Sequence, residues 1–419
     1  MNALKLFICT LFVFLVVQAF GQGGRSPYSI LGVGDIVGRG NVANLGMGGI
    51  AVSNGSPLFG NVSNPANLAY NKLTFFDIGY MGEFRQLSYQ DAKEDDLGGQ
   101  ILYMSFGFPI TRNWTTSIGL RPVTQVNYKI QFTELLPNSQ TYVQYVYQGE
   151  GGITQVYWAN GINLFKGFAV GGEISYNFGS INRQSKSTLQ DLIDPQFSAA
   201  YFQRTTYSAF TFTGSAAYSA KLSDKFQVNV GAQYLTQREF TARSFEALQR
   251  RSAADAVISS DTLVNNERAT VQMPGDFTFG ISLGQEFKYT LGVDVTMQNW
   301  SSYRDTQGRS LLKDARSIKF GAEWIPDITS VSSYFKRVAY RIGGSVSTLP
   351  YVVEGEQLED MAATMGFSLP VSRGISTLNL AFQYGIRDLN LEDSIKEKYF
   401  RVNLGFTIND RWFVRRRIN

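Results

Sequence analysis

The sequence contains no histidine, and its single cysteine is Cys9. Without an imidazole, neither Ser–His nor Cys–His nucleophile activation can be assembled, and His-ligated metal centres are excluded too. Cys9 falls in a segment read below as a removable leader, so the working chain is expected to lack disulfides as well. Carboxylates, lysines, arginines and tyrosines remain. Paired carboxylates can run general acid–base catalysis, but nothing sets two of them convincingly on one strand face, and no enzymatic activity is expected. The acidic run Glu94-Asp95-Asp96 lacks the further oxygen ligands of a Ca²⁺ site, so it reads as solvated, and neither a metal nor a cofactor is expected. A formal charge of +4, with no helical basic motif, does not point to nucleic acid.

The charged residues that invite attention stand singly within alternating stretches. Phe168, Val170, Gly172, Ile174, Tyr176 and Phe178 alternate with Ala169, Gly171, Glu173, Ser175 and Asn177. Tyr289, Leu291, Val293, Val295 and Met297 alternate with Thr290, Gly292, Asp294, Thr296 and Gln298, and Phe400, Val402, Leu404, Phe406 and Ile408 with Arg401, Asn403, Gly405 and Thr407. Period two makes a strand with one apolar and one polar face. The apolar face is large and aromatic; the other is mostly Gly, Asn, Gln, Ser and Thr. That combination predicts an all-β fold, a transmembrane antiparallel β-barrel turning its apolar face to lipid and its polar face to the lumen. Glu173, Asp294, Lys319, Glu323, Arg341 and Arg401 then point inward. They are candidates either for a ligand path or for a network holding a plug, and Arg341 or Arg401, if unpaired, could receive a carboxylate.

Composition agrees. Charged residues are 17% against about 25% in ordinary soluble domains, aromatics are 14%, and Gly numbers 41 against Pro 11. Connections alternate in length. Short links fall near 110–113, 165–167, 223–225, 285–288 and 372–374, and long polar ones near 90–98, 131–148, 184–204, 243–268, 304–312 and 350–358. Only 327–336 is long where a short turn is due. Roughly fourteen strands follow, starting near Leu73, Gly99, Trp114, Gly149, Phe168, Thr205, Phe226, Ala269, Tyr289, Lys313, Arg337, Glu359, Ile375 and Ile395. An even count puts both chain ends at the periplasmic rim. Trp114, Trp300, Trp324 and Trp412, near predicted strand ends, suit interfacial girdles.

Residues 1–21 read as a secretory signal peptide: Lys5, an apolar stretch from Leu6 to Val17, then Ala19-Phe20-Gly21. Residues 22–72 do not alternate and are rich in Gly, which permits close backbone packing. They are expected to form a hatch folded inside the barrel at 73–409, with a basic tail at 410–419 carrying Arg415, Arg416 and Arg417.

Met47-Gly-Gly-Ile-Ala-Val-Ser53 and Asn61-Val-Ser-Asn-Pro-Ala-Asn-Leu68 resemble the hatch of the long-chain fatty-acid outer-membrane transporter family. Met273-Pro274, Phe279-Gly280-Ile281, Leu291-Gly-Val-Asp294, Asn299-Trp-Ser-Ser-Tyr303, Ser317-Ile-Lys-Phe-Gly-Ala-Glu-Trp324 and Tyr340-Arg-Ile-Gly343 resemble its later strands. The resemblance implies a fourteen-stranded barrel in the outer membrane of a Gram-negative cell, a hatch carrying Asn64, Pro65 and Ala66, and passive uptake of hydrophobic, fatty-acid-like molecules through a side opening. It also implies apolar capture residues in the outer loops, for which Phe132, Leu135, Leu136, Tyr142 and Tyr145 stand ready. The expected partners are then membrane lipid or lipopolysaccharide and a hydrophobic ligand. An alternative stays open: a non-transporting barrel subunit of an outer-membrane secretion or assembly complex, with a periplasmic or outer-membrane protein partner at its surface or basic tail.

Overall fold

The computed structural model describes residues 24–56, 59–190, 197–223, 225–310, 312–371 and 376–411. The expected leader, Trp412 and the three tail arginines lie outside them. The chain begins with β1 (Asp35–Ile36), one helical turn, α1 (Val42–Leu45), and a 3₁₀ segment, Pro65–Tyr70. Then come β2 (Thr74–Tyr89), β3 (Ala92–Thr111), β4 (Trp114–Leu135), β5 (Tyr142–Phe165), β6 (Phe168–Gln190) and β7 (Phe197–Ser223). They are followed by β8 (Phe226–Leu235), β9 (Arg238–Ser252), β10 (Val257–Met273), β11 (Asp276–Gln285), β12 (Tyr289–Gln298) and β13 (Ala315–Trp324). The last are β14 (Ala339–Val353), β15 (Glu356–Pro370), β16 (Thr377–Asp388) and β17 (Lys396–Asp410). β8 and β9 are halves of one wall strand, as are β10 and β11, and fourteen antiparallel strands close the barrel. Closure is β17 on β2, in register from Lys396↔Ser88 to Asp410↔Thr74.

Burial is inverted relative to a water-soluble protein. On β6, Ile174, Tyr176 and Phe178 are 44%, 42% and 38% exposed, whereas Glu173, Ser175 and Asn177 are 3%, 2% and 2% exposed. Such a wall is stable only with hydrocarbon outside and satisfied polar groups inside.

The hatch supplies those inner partners. Its Gly-rich backbone packs directly on wall glycines. A Cβ at Gly171 would come within 2.2 Å of the Ala66 amide nitrogen, and one at Gly231 within 2.0 Å of the Val52 carbonyl oxygen. In the half of the lumen away from the short turns, Tyr28 and Val33 of the hatch meet Val126, Tyr128, Ile153, Ile181, Phe240, Trp300, Leu312 and Tyr351 in one apolar cluster.

Several expectations are corrected. The links near 131–148, 243–268 and 350–358 are not polar loops. They are strand pairs continuing past the wall, with tips only at 136–141, 253–256 and 354–355. Tyr, Val, Phe and Thr in these segments favour continued pairing, which polarity alone obscured. Trp300 does not join a girdle; it is buried in the apolar cluster. Asp410 lies at the short-turn rim, opposite Thr74. Arg25 of the hatch pairs with Asp96 on β3, near the tip of the β2–β3 hairpin.

Candidate functional site

The region where hatch meets wall is the candidate site. Asn64 is the N-cap of Pro65–Tyr70: its side-chain oxygen accepts from the Ala66 amide at 3.1 Å. Its amide nitrogen donates to the Val52 carbonyl at 2.9 Å. Pro65 occupies the first helical position, where no amide hydrogen is needed, and Ala66 is fully buried. The motif therefore joins two hatch segments and seats them on β5 and β6.

Asp294 on β12 grips the hatch from the wall. Its carboxylate accepts from the amides of Ala51 at 2.7 Å and Val52 at 2.8 Å, and from the Ser53 hydroxyl at 2.8 Å. Lys319 on β13 stands opposite Asp294 in register. It lines a cavity of about 180 Å³ with Arg39, Arg121 and Asp276.

The other four candidates, Glu173, Glu323, Arg341 and Arg401, are ion-paired. Arg121 on β4 meets Glu173 at 2.6 Å, and Ser175 also donates to Glu173 at 2.8 Å. Arg341 on β14 bonds Glu323 on β13 at 2.6 Å and Ser368 at 2.6 Å. Arg401 pairs with Glu83. Neither Arg341 nor Arg401 is the unpaired arginine that a carboxylate ligand would need.

Arg401 belongs to a larger network that the sequence reading missed. Arg85 pairs with Glu83 at 2.8 Å and with Glu397. Arg387 pairs with Asp360 and, at 2.9 Å, with Asp35 of the hatch. The Ser26 hydroxyl of the hatch donates to Glu397 at 2.6 Å, and the Tyr399 hydroxyl donates to Asp360 at 2.7 Å. A signal was present: Glu83 and Arg85 on β2, and Glu397, Tyr399 and Arg401 on β17, fall on the inward parity of their strands.

The wall is interrupted between β3 and β4 among the described residues. Pairing of β3 with β4 stops at Met104↔Leu120, two residues before Pro122, which lacks an amide hydrogen. Beyond it, β4 pairs with the hatch. Asp35 and Ile36 of β1 face Gln125 and Thr124. The Val37 amide donates to the Val123 carbonyl at 2.9 Å and the Ser26 amide to the Asn127 carbonyl at 2.9 Å. The N-terminal strap thus takes the edge that β3 leaves open.

The proposed capture residues lie along the β4–β5 hairpin. Phe132 pairs across to Tyr145, with ring centroids at 5.3 Å. Leu135 and Tyr142 form the next-to-tip pair of the same hairpin and stand exposed. Leu136 begins the turn.

Fold and site together define an outer-membrane-type β-barrel whose lumen holds its own N-terminal hatch. The chain belongs to the BamG family, whose match covers residues 3–419. No curated protein matches this sequence. Among solved structures, the chain resembles the Pseudomonas putida toluene transporter TodX with a TM-score of 0.60 at 14% identity, covering 89% of this chain and 99% of that one. The Ralstonia pickettii toluene transporter TbuX gives 0.56 at 13% identity, covering 88% and 98%. A Pseudomonas aeruginosa FadL homologue gives 0.54 at 11% identity, covering 89% and 99%. At these identities the likeness concerns the fold.

Proposed function

We propose that this protein is a plugged outer-membrane barrel that works through its surface, as a non-transporting subunit of an outer-membrane protein complex. The observation that carries this reading is that most of the inward charges singled out above are already engaged by the wall or by the hatch. Glu173, Glu323, Arg341 and Arg401 are ion-paired, Asp294 is committed to the hatch, and the apolar half of the lumen is packed by Tyr28 and Val33 of the chain itself. A ligand entering there would have to displace hydrogen bonds and ion pairs made in low dielectric. In this reading the short turns and the C-terminal tail face the periplasm, and partners bind the barrel exterior, its tall loop-side hairpins or that tail.

A second reading is passive uptake of hydrophobic compounds, fatty-acid-like or otherwise. It is favoured by the β3–β4 discontinuity, where only the strap completes the wall. Movement of that strap would open a lateral exit into the bilayer. The shared fold of TodX and TbuX supports the same reading.

Affinity isolation of tagged protein from its own membrane, after mild crosslinking, separates the two. A stoichiometric protein partner, with hydrophobic-compound uptake unchanged in a deletion strain, is the expected result. Isolation without a partner, together with lost uptake on deletion, would replace the first reading by the second.

A further inference from the structure

The short-turn rim carries a run of cations on successive connections. On the loop side some cations are matched, Lys186 with Asp255 at 2.9 Å, Arg309 with Asp305 at 3.0 Å, and Lys396 with Asp388. On the short-turn side, successive connections carry Arg112, Lys166, Lys225, Lys288 and the Lys336-Arg337 pair, against Glu286, Asp327 and Asp410 among the described residues. Among the described residues, none of those cations is in an ion pair. Three of these connections are tied into one arc. The Tyr289 hydroxyl donates to the Lys225 carbonyl at 3.1 Å, the Ile325 amide to the Lys288 carbonyl at 2.7 Å, and the Asp327 amide to the Lys336 carbonyl at 2.8 Å.

The arc borders exposed aromatic surface. Phe226, Trp324 and Phe335 are 45%, 57% and 71% exposed. The Tyr340 hydroxyl donates to the Phe335 carbonyl at 3.1 Å, and the Trp324 and Tyr340 rings lie 5.8 Å apart. The Tyr334 hydroxyl donates to the Pro370 carbonyl at 3.1 Å. These contacts hold the 325–338 link against the ends of β14 and β15. Exposed aromatics at a barrel rim settle at headgroup depth, and lysines beside them extend toward phosphate.

We propose that the arc of Lys225, Lys288 and Lys336 binds the phosphate headgroups of anionic phospholipid in the leaflet at the short-turn rim. The positive arc complements that charge, and the neighbouring aromatics set the depth at which the two meet. The inference requires only that the barrel spans a membrane, so its failure would leave the subunit proposal standing.

The test uses the full chain in phosphatidylcholine vesicles containing a minor fraction of phosphatidylglycerol. Spin-labelled lipids report the selectivity of the barrel for phosphatidylglycerol over phosphatidylcholine. Wild type is expected to prefer phosphatidylglycerol and to lose the preference at high salt. The combined variant Lys225→Gln, Lys288→Gln and Lys336→Gln is expected to lose it, by up to roughly fivefold for each charge removed. Lys186→Gln, on the opposite rim, is expected to keep it. Heat-modifiable gel mobility verifies closure of each barrel, and the salt dependence of wild type decides the matter if the combined variant does not fold. No preference in wild type, a preference insensitive to salt, or one that survives the three substitutions would overturn the proposal. So would a demonstration that an acidic protein, rather than lipid, occupies the arc.

Discussion

The wall holds the hatch through single atoms whose loss has countable consequences. Asp294→Ala removes the acceptor shared by two hatch amides and one hydroxyl. Buried donors left unsatisfied cost about 1–3 kcal/mol each, so hydrogen exchange across 47–54 should accelerate while the barrel remains closed. Unchanged protection there would show that Asp294 does not seat the hatch. Gly48 has φ +69°, and a Cβ on it would lie 2.3 Å from the Phe320 carbonyl oxygen. Gly48→Ala is therefore expected to loosen the same segment through backbone strain and collision. At the rim, the Asp327 carboxyl lies below the usual carboxylate range because it accepts from the Thr329 hydroxyl and amide, with Lys336 and Lys288 adding attraction. A group lowered on folding contributes above its unfolded pKa, and that contribution is lost as pH falls through the folded value. The 325–338 link should therefore stay ordered down to about pH 4 and loosen below it. Asp327→Asn should raise tryptic cleavage after Lys336 at neutral pH; an unaltered cleavage rate would refute this role. Little of the residue-level detail was legible in sequence. Asp35 and Arg387, or Ser26 and Glu397, are brought together only when the sheet closes, and no local pattern pairs them.

Among the elements, the strand starts at the short turns were legible because alternation and the Gly, Ser or Lys of a turn coincide there. Trp114, Phe168, Phe226 and Tyr289 each begin a strand where the pattern placed one. The outer ends were not, since Tyr142, Val143, Tyr145 and Val146 can pair in a hairpin without facing lipid. The most consequential element, β1, is only Asp35–Ile36, too short to carry any periodicity. Its pairing with β4 can be fixed covalently. Ile36 and Thr124 face each other in register, beside the hydrogen-bonded pair Val37 and Val123, a placement that suits cysteine geometry. Ile36→Cys with Thr124→Cys should form a disulfide under oxidation, detectable by altered gel mobility. If the protein works through its surface, complex assembly should be indifferent to the lock. Hydrophobic uptake abolished by oxidation and restored by reduction would instead make the strap a gate.

At the scale of the whole molecule, closure explains why so much charge can be placed at membrane depth. A hatch that brings Asp35, Ser26 and its backbone amides into the lumen gives the inward polar face its partners, with lipid satisfying the opposite face. The molecule presents three surfaces: an exterior belt, tall loop-side hairpins and a basic short-turn rim. Each surface suits recognition without passage through the lumen. The most direct measurement is a cryo-microscopy map of the protein isolated from its own membrane. A second protein seated against the barrel and a lumen occupied by residues 24–56 and 59–72 of this chain are expected. A solitary barrel with its strap displaced and an elongated apolar molecule lying between β3 and β4 would contradict this reading.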